Sequence, residues 1–313
     1  SLIRQGDFIG VTGATGFIGT SLCKRLVQLG FQVKALVRDP HKADQLSNPN
    51  IELITGNLSD QDALRQLCSG CCAVIHGAGA VRGSSQTEFD LVNINGTAAI
   101  IAAVKSQQAP SRLLLLSSLA AREPQLSWYA QSKRGGEQLL QKEQQLDWVI
   151  LRPPAVYGPG DKEMLPVFQM MSRGVAPVAG ATTARISLIH VTDLVEAIIA
   201  CLQSDDACHH QILTLCDGKD GGYSWHEMAA LAEVTWSRRV RLWQLPTWLL
   251  DAVAGVNLRL AKITGSAPML TPPKLRELRH PDWVVDNRDM AATGWAPKID
   301  LQQGLEEIRN SAL

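Results

Sequence analysis

Up to residue 152, short apolar runs alternate with amphipathic stretches along the chain. The runs at 8–11, 32–37, 51–54, 73–76, 113–116 and 148–151 are mostly apolar, with little polar alternation beyond Lys34 and Glu52. Strands of that kind are covered on both faces. The segments 17–29, 60–68, 88–106 and 128–144 carry apolar residues at helical spacing and predict helices. Strands separated by helices imply right-handed crossovers, hence a parallel sheet with helices on both sides. The expected fold class is α/β, with a doubly wound parallel sheet.

Beyond residue 152 the pattern changes. RPPAVYGPGD (152–161) is dense in Pro and Gly and reads as a loop leaving the sheet. One more unit follows, a strand at 186–189 and a helix at 191–203, then a short strand at 212–216. From about 221 to 313 the chain reads as mostly helical. The second lobe is therefore interleaved with the first. Residues 1–152, with 186–216 returning, are expected to bind a dinucleotide, and 153–185 with 217–313 to form a smaller, mostly helical substrate lobe.

Composition narrows the function classes. The 313 residues include 30 basic and 30 acidic side chains, so the net charge is zero. A nucleic-acid backbone binder needs a basic surface, which argues against that class. Apolar residues make up 45 %, enough for a large core. Cys68, Cys71 and Cys72 form the one cysteine cluster, without a second pair or a His at ligand spacing. Buried, reduced thiols and no metal are expected, in a cytoplasmic protein. The N-terminus shows no apolar signal core. The apolar stretch 245–263 is broken by Asp251, Asn257, Arg259 and Lys262, too polar for an integral membrane segment.

Candidate chemistry begins right after the first strand. FIGVTGATGFIGTSL places Gly13, Gly16 and Gly19 between that strand and the first helix. Gly13 allows a sharp turn, Gly16 lets backbone N–H groups approach a diphosphate, and Gly19 permits close packing of the helix. The helix N-terminus then faces the phosphates. This is the strand–glycine–helix context of a Rossmann-type dinucleotide site. About twenty positions further on, an acidic residue would favour NAD. Arg38 stands there, with Lys42 nearby, and a guanidinium suits the 2′-phosphate of NADP. Asp39 is adjacent and keeps NAD open. Asn57 follows the third strand, where its side-chain oxygen suits the adenine amino group. Gly77, Ala78 and Gly79 follow the fourth, and small residues there let a cofactor lie against backbone. His76 reads as a strand-end His with one satisfied nitrogen.

A polar trio completes the picture. LLLLSSLAAR runs a buried strand into Ser117 and Ser118, and ligands in such sheets lie beyond the carboxyl ends of the strands. Tyr129 and Lys133 follow at i and i+4, on one helix face. A free phenol titrates near 10. A nearby ammonium is expected to lower that value. The Tyr can then exchange a proton with a substrate oxygen while hydride moves to or from the nicotinamide. Ser118 would hold the same oxygen, and Lys133 the nicotinamide ribose.

With TGATGFIG, VNINGT, SS followed by YAQSK, LRPPAVYGPGD and LIHVTDLVEAI, the chain resembles an extended short-chain dehydrogenase/reductase, the group containing NAD(P)-dependent epimerase/dehydratase proteins. The resemblance extends cofactor contact to Thr15, Phe17, Ile18 and Leu58, and to the backbone near Pro153 and Val156. It makes Asn93 the helix residue that supports Lys133 through water. Asn57 stands where the family usually has Asp at the adenine contact, and two features depart from the sugar-nucleotide enzymes of the group: the short gap between Ser118 and Tyr129, and Arg185 five rather than four positions before His190. The tail is more similar to dihydroflavonol-reductase and hydroxysteroid-dehydrogenase relatives. Trp243, Leu245, Trp248, Leu249 and Leu250 are then either the lining of an apolar pocket or simply core. The leading expectation is an NADP-preferring oxidoreductase acting on a carbonyl or hydroxyl of a small, apolar substrate. An NDP-sugar epimerase/dehydratase and a non-catalytic NADP-binding sensor or assembly subunit are the alternatives. Apolar helix faces leave room for a homodimer.

Overall fold

The mostly apolar runs become a buried sheet. A computed structural model describes residues 3–204 and 206–311. The first half comprises β1 (Phe8–Thr12), α1 (Phe17–Gln28), β2 (Gln32–Val37), β3 (Ile51–Thr55), α2 (Gln61–Cys68), β4 (Cys71–His76), α3 (Gln86–Asn93), α4 (Asn95–Lys105), β5 (Arg112–Leu116), α5 (Trp128–Gln141) and β6 (Trp148–Arg152). Then come β7 (Ala155–Tyr157), α6 (Leu165–Ser172), β8 (Val175–Val178), β9 (Arg185–Ile186), β10 (Leu188–His190), α7 (Val191–Gln203) and β11 (Gln211–Thr214). The tail holds β12 (Tyr223–Ser224), α8 (Trp225–Trp236), β13 (Arg241–Gln244), α9 (Thr247–Thr264), α10 (Pro272–Arg279), β14 (Asp282–Trp283) and α11 (Leu301–Asn310).

Seven strands pair in parallel in the order β11-β6-β5-β4-β1-β2-β3. This is the Rossmann-type doubly wound sheet. Strand order reverses between β1 and β4, and there a crevice opens beyond the carboxyl ends. One apolar core, with Ile9, Val11, Leu22 and Ile198, joins the sheet to α1 and α7. A second, with Val74, Leu64, Ile100 and Leu140, joins the other face to α2, α4 and α5. Cys68 and Cys71 belong to that second core, and burial pushes both thiols up to about 12.

Three expectations change. The helix expected over 88–106 divides at Ile94 into α3 and α4. Thr97 bonds its hydroxyl back to the Asn93 carbonyl at 2.7 Å, and α5 packs closely on that joint, where a Cβ on Gly136 would come within 2.8 Å of the same carbonyl. The strand expected over 186–189 splits at Ser187. Its first part pairs with β12 and β14, its second with β7, so two sets of partners pull it in different directions. The tail is not only helical. β12, β13 and β14 are two to four residues long and pair with distant strands, too short for any alternation to show.

Candidate active site

The glycine loop is crowded from behind and open in front. Gly13 has φ +71°, and a Cβ there would meet Gly77 and Ala78 backbone at 2.6–2.7 Å. A Cβ on Gly19 would sit 1.9 Å from the Gly13 carbonyl oxygen. Gly19 therefore lets the helix close on its own loop rather than on the sheet. Gly16 caps α1 without any side-chain bond, whereas Asp60, Ser85 and Ser127 cap α2, α3 and α5. The first N–H groups of α1 thus stay available to an anion. Thr15 and Gly16 are exposed, and Phe17 and Ile18 half-buried. Thr12, unmarked by sequence, ties the neighbouring loop down: its hydroxyl oxygen accepts from Ala78 N–H at 3.2 Å and lies 2.6 Å from His76 Nδ1. Burial, then the Lys133 charge, lowers His76 to about 3, so it stays neutral.

At the far end of the groove, Arg38 is exposed just past β2. Asp39 accepts from His41 N–H at 3.0 Å and caps the short 3-10 helix at Pro40–Lys42. Its carboxylate is thereby turned to its own chain. The Asn57 side-chain oxygen, expected to face adenine, accepts from Ser59 N–H (2.8 Å) and Ser59 O–H (2.5 Å). Leu58 packs against the start of α4, where a Cβ on Gly96 would lie 2.6 Å from Leu58 Cδ1.

The two serines after β5 point to opposite sides. Ser117 donates to buried Glu137 at 2.5 Å. Ser118 acts on the Tyr129 phenol, holding down its upward shift, and its hydroxyl accepts from Ala120 N–H at 3.1 Å. Lys133 donates to the Leu116 carbonyl at 3.1 Å. A Cβ on Gly79 would lie 3.2 Å from Lys133 Nζ and 3.1 Å from Asn93 Oδ1, so the small residue there makes room for both. Asn93 is buried, accepts from Ala80 N–H at 2.8 Å, and donates to the Ala80 carbonyl (3.0 Å) and Ser132 Oγ (2.8 Å). Asn93, Thr97, Ser117 and Lys133 line one small polar cavity. Pro153, buried at the end of β6, accepts from Leu119 N–H at 2.9 Å, and Val156 sits in β7 opposite Ile189.

The electrostatics differ from the expectation. Burial pushes the Tyr129 phenol well above its ordinary range, Ser118 opposes this, and Glu277 and Glu163 add to it. Lys133 is not among the groups acting on it. Burial lowers the ammonium itself to about 8, with Glu137 holding it up. The correction is physical: desolvation outweighs the neighbouring charge when both groups are enclosed. Sequence reasoning also missed Lys274, whose Nζ lies 5.2 Å from the Tyr129 ring centroid, and Glu277, which accepts from Ser127 Oγ at 2.7 Å. Both come from α10, and no local signal marks them.

Beneath the trio lies a buried ion pair. Arg152 donates to both oxygens of Glu137, at 2.8 and 2.5 Å. The HVTD segment is a latch: His190 Nε2 lies 2.7 Å from Glu307, and Asp193 accepts from Lys298 and Ile299 N–H. Arg185 is occupied by the Gly221 and Gly222 carbonyls and by Glu227. Beside Tyr129 a small hollow, about the size of one water, is lined by Val81, Phe89, Trp128, Met269 and Pro273 together with Ser127, Thr271 and Lys274. Of the five tail residues, Leu245 and Leu250 pack into a small core, while Trp243, Trp248 and Leu249 are exposed; none lines this hollow.

Such a site, an open glycine-led groove at the switch point of a parallel sheet, defines a dinucleotide-binding protein of the doubly wound class. Residues 9–215 match the NAD dependent epimerase/dehydratase family, and the chain belongs to it. It is 36 % identical over 301 residues to a ceramide reductase of Caulobacter vibrioides, covering 95 % of this chain and 91 % of that one. It is 26 % identical to a 2-alkyl-3-oxoalkanoate reductase of Stenotrophomonas maltophilia, over 96 % and 98 % of the two chains. UDP-glucuronic acid 4-epimerase from Bacillus cereus, solved with UDP-glucuronic acid and NAD, shares the fold with TM-score 0.73 at 20 % identity, covering 97 % and 99 %. The chain is an NAD(P)-dependent oxidoreductase enzyme.

Proposed function

We propose that this enzyme is an NADP-preferring reductase of ketones carried on alkyl chains. The carrying observation is Ser118, at the carboxyl edge of the sheet, acting on the Tyr129 phenol, with a small apolar hollow beside it. The nicotinamide, when bound, supplies the hydride. Tyr129, kept protonated by burial, gives a proton to the substrate oxygen, and Ser118 holds that oxygen. Lys133 orients the ribose, supported by Asn93 across the cavity both line. Gly13, Thr15, Gly16, Phe17, Ile18 and Gly19 hold the diphosphate side. Asn57, Leu58, Gly77, Ala78, Gly79, Pro153 and Val156 border the rest. The layer 1–152 with 186–216 carries the cofactor, and 153–185 with 217–313 shape the substrate side.

The names of two of the relatives matching nearly the whole chain, a ceramide reductase and a 2-alkyl-3-oxoalkanoate reductase, denote compounds with alkyl chains. The apolar hollow supports the same class. The engagement of Arg185 away from it disfavours a sugar diphosphate. Seven free thiols support a cytoplasmic setting. NADPH absorbance in the presence of a 2-alkyl-3-oxoalkanoate is expected to fall. Conversion of a UDP-sugar without net cofactor change would move the enzyme to the epimerase class.

Two residues test the cofactor side. The exposed Arg38, with Asp39 turned to its own cap, supports a 2′-phosphate partner. Arg38→Ala is expected to weaken NADP binding roughly ten-fold or more while leaving NAD nearly unchanged. Equal losses in two titrations would remove Arg38 from this role. For Lys133 the ammonium is present below about 8 and lost above it. Dinucleotide binding is therefore expected to weaken as pH rises through that value, with proton uptake measurable by calorimetry in two buffers. A flat affinity from about pH 7 to 10 would place Lys133 away from the cofactor.

A further inference from the structure

The helix α9 turns one apolar face inward and another outward. Leu250, Ala254 and Ala261 are buried, and the first two pack with Leu275 of α10. Leu249, Val253, Val256, Leu260 and Ile263 are exposed and recur at alternating steps of four and three residues. They form one continuous stripe along the helix. Ile263 is 81 % exposed and Trp248, at the border of the stripe, 71 %. Single exposed apolar residues are ordinary, whereas five in register mark a contact surface.

The sequence segment that carries the stripe, from β13 through α10, is basic. Residues 241–279 hold six Lys and Arg against two Asp and Glu, in a chain whose net charge is zero. Both acids are engaged: Asp251 pairs with Arg279 at 2.9 Å, and Glu277 pairs with Lys274. Arg259 and Lys262, on α9 itself, are exposed. Among the described residues, no helix is long and apolar enough to cross a membrane.

We propose that α9 docks the enzyme on an anionic lipid bilayer. An apolar stripe bordered by cations and a Trp suits a helix lying in the plane of the interface. A second copy fits less well, because an isologous contact would set the same basic patch against itself. The position of the cleft gives the docking a purpose. From the C-terminal end of α9 the chain runs through 265–271 into α10, and Pro268, Met269 and Thr271 of that connection line the cleft at Tyr129. A docked α9 thus anchors beside the lipid the segment that lines the cleft, and an alkyl-chain ketone resides in that lipid. This last link rests on the proposed ketone-reductase function; the docking itself does not.

Sedimentation with phosphatidylcholine vesicles, with and without phosphatidylglycerol, tests the proposal. The wild type is expected to pellet with the anionic vesicles, to be released by high salt, and to show blue-shifted Trp emission. Val256→Glu with Leu260→Glu is expected to lower vesicle partition roughly ten-fold or more. Arg259→Gln with Lys262→Gln keeps the stripe and is expected to abolish the preference for anionic vesicles. Turnover of a short, water-soluble ketone is expected to be unchanged in both variants, since none of these residues lines the Tyr129 cleft. Absence of wild-type binding to either vesicle would overturn the docking, as would equal binding by wild type and the Glu variant. A solution dimer that the Glu variant converts to monomer would assign the stripe to a second copy instead. Vesicle binding with no ketone turnover would sink the reductase function and leave the docking standing.

Discussion

Tyr129→Phe is expected to bind the dinucleotide as the wild type does and to lose about a thousand-fold in kcat, within the usual range for a positioned acid–base group. Only the hydroxyl is removed. The ring keeps its place against Phe89, with centroids 6.2 Å apart, and beneath the Lys274 ammonium. Stability should therefore change little, and a cofactor titration with a thermal melt separates lost chemistry from lost fold. The protonation state of the resting phenol follows from the same environment. The free protein holds the phenol above its ordinary range, so it is protonated at neutral pH. A protonated phenol is a donor, which suits ketone reduction rather than alcohol oxidation. Because burial holds the phenol above its ordinary range, no loss of reduction rate from Tyr129 ionisation is expected as pH rises toward 10, read as kcat against pH. Full activity in the Phe variant would remove Tyr129 from the proton transfer.

Arg152→Ala is expected to destabilise the fold by about 3–5 kcal/mol, because a charge is left buried without its partner. Glu137 is fully buried and its side chain receives both Arg152 donors and the Ser117 hydroxyl. Thermal denaturation should show a fall of roughly 10 °C. Adding Glu137→Gln to the Arg152→Ala background should recover part of that loss, since the uncompensated charge is then gone. No recovery in the double variant would mean that the pair acts through packing alone. Glu137 also holds the Lys133 ammonium up against burial. The same carboxylate therefore links the stability of the sheet end to the charge state of the site.

Much of this architecture was legible before any coordinate. Mostly apolar runs located β1, β2, β3, β4, β5 and β6, and the glycines between β1 and α1 marked the loop that carries Gly13 at positive φ. Asp39, taken in sequence only as a residue that keeps NAD open, caps the 3-10 helix instead, as an Asp before Pro-His can. Asn57 two residues before Ser59 had the spacing of an Asx turn, which explains why its oxygen faces its own chain. Other features had no local trace. Ser117 and Ser118 look alike in sequence, and only the position of Glu137 beneath one and Tyr129 beside the other separates them. Lys274 and Glu277 reach the site from α10 without any motif to announce them.

The chain by itself determined what depends on near neighbours: the buried parallel strands, the glycine turn, and a Tyr and Lys one helical turn apart on α5. These rest on residue periods and on backbone conformations that single residues permit or forbid. Tertiary structure alone decided the rest: that the phenol is raised rather than lowered, that 186–189 divides between two sets of partners, and that α9 leaves an apolar stripe outside. Each of these turns on burial and on contacts between distant segments, and a residue's identity does not carry its solvent exposure with it.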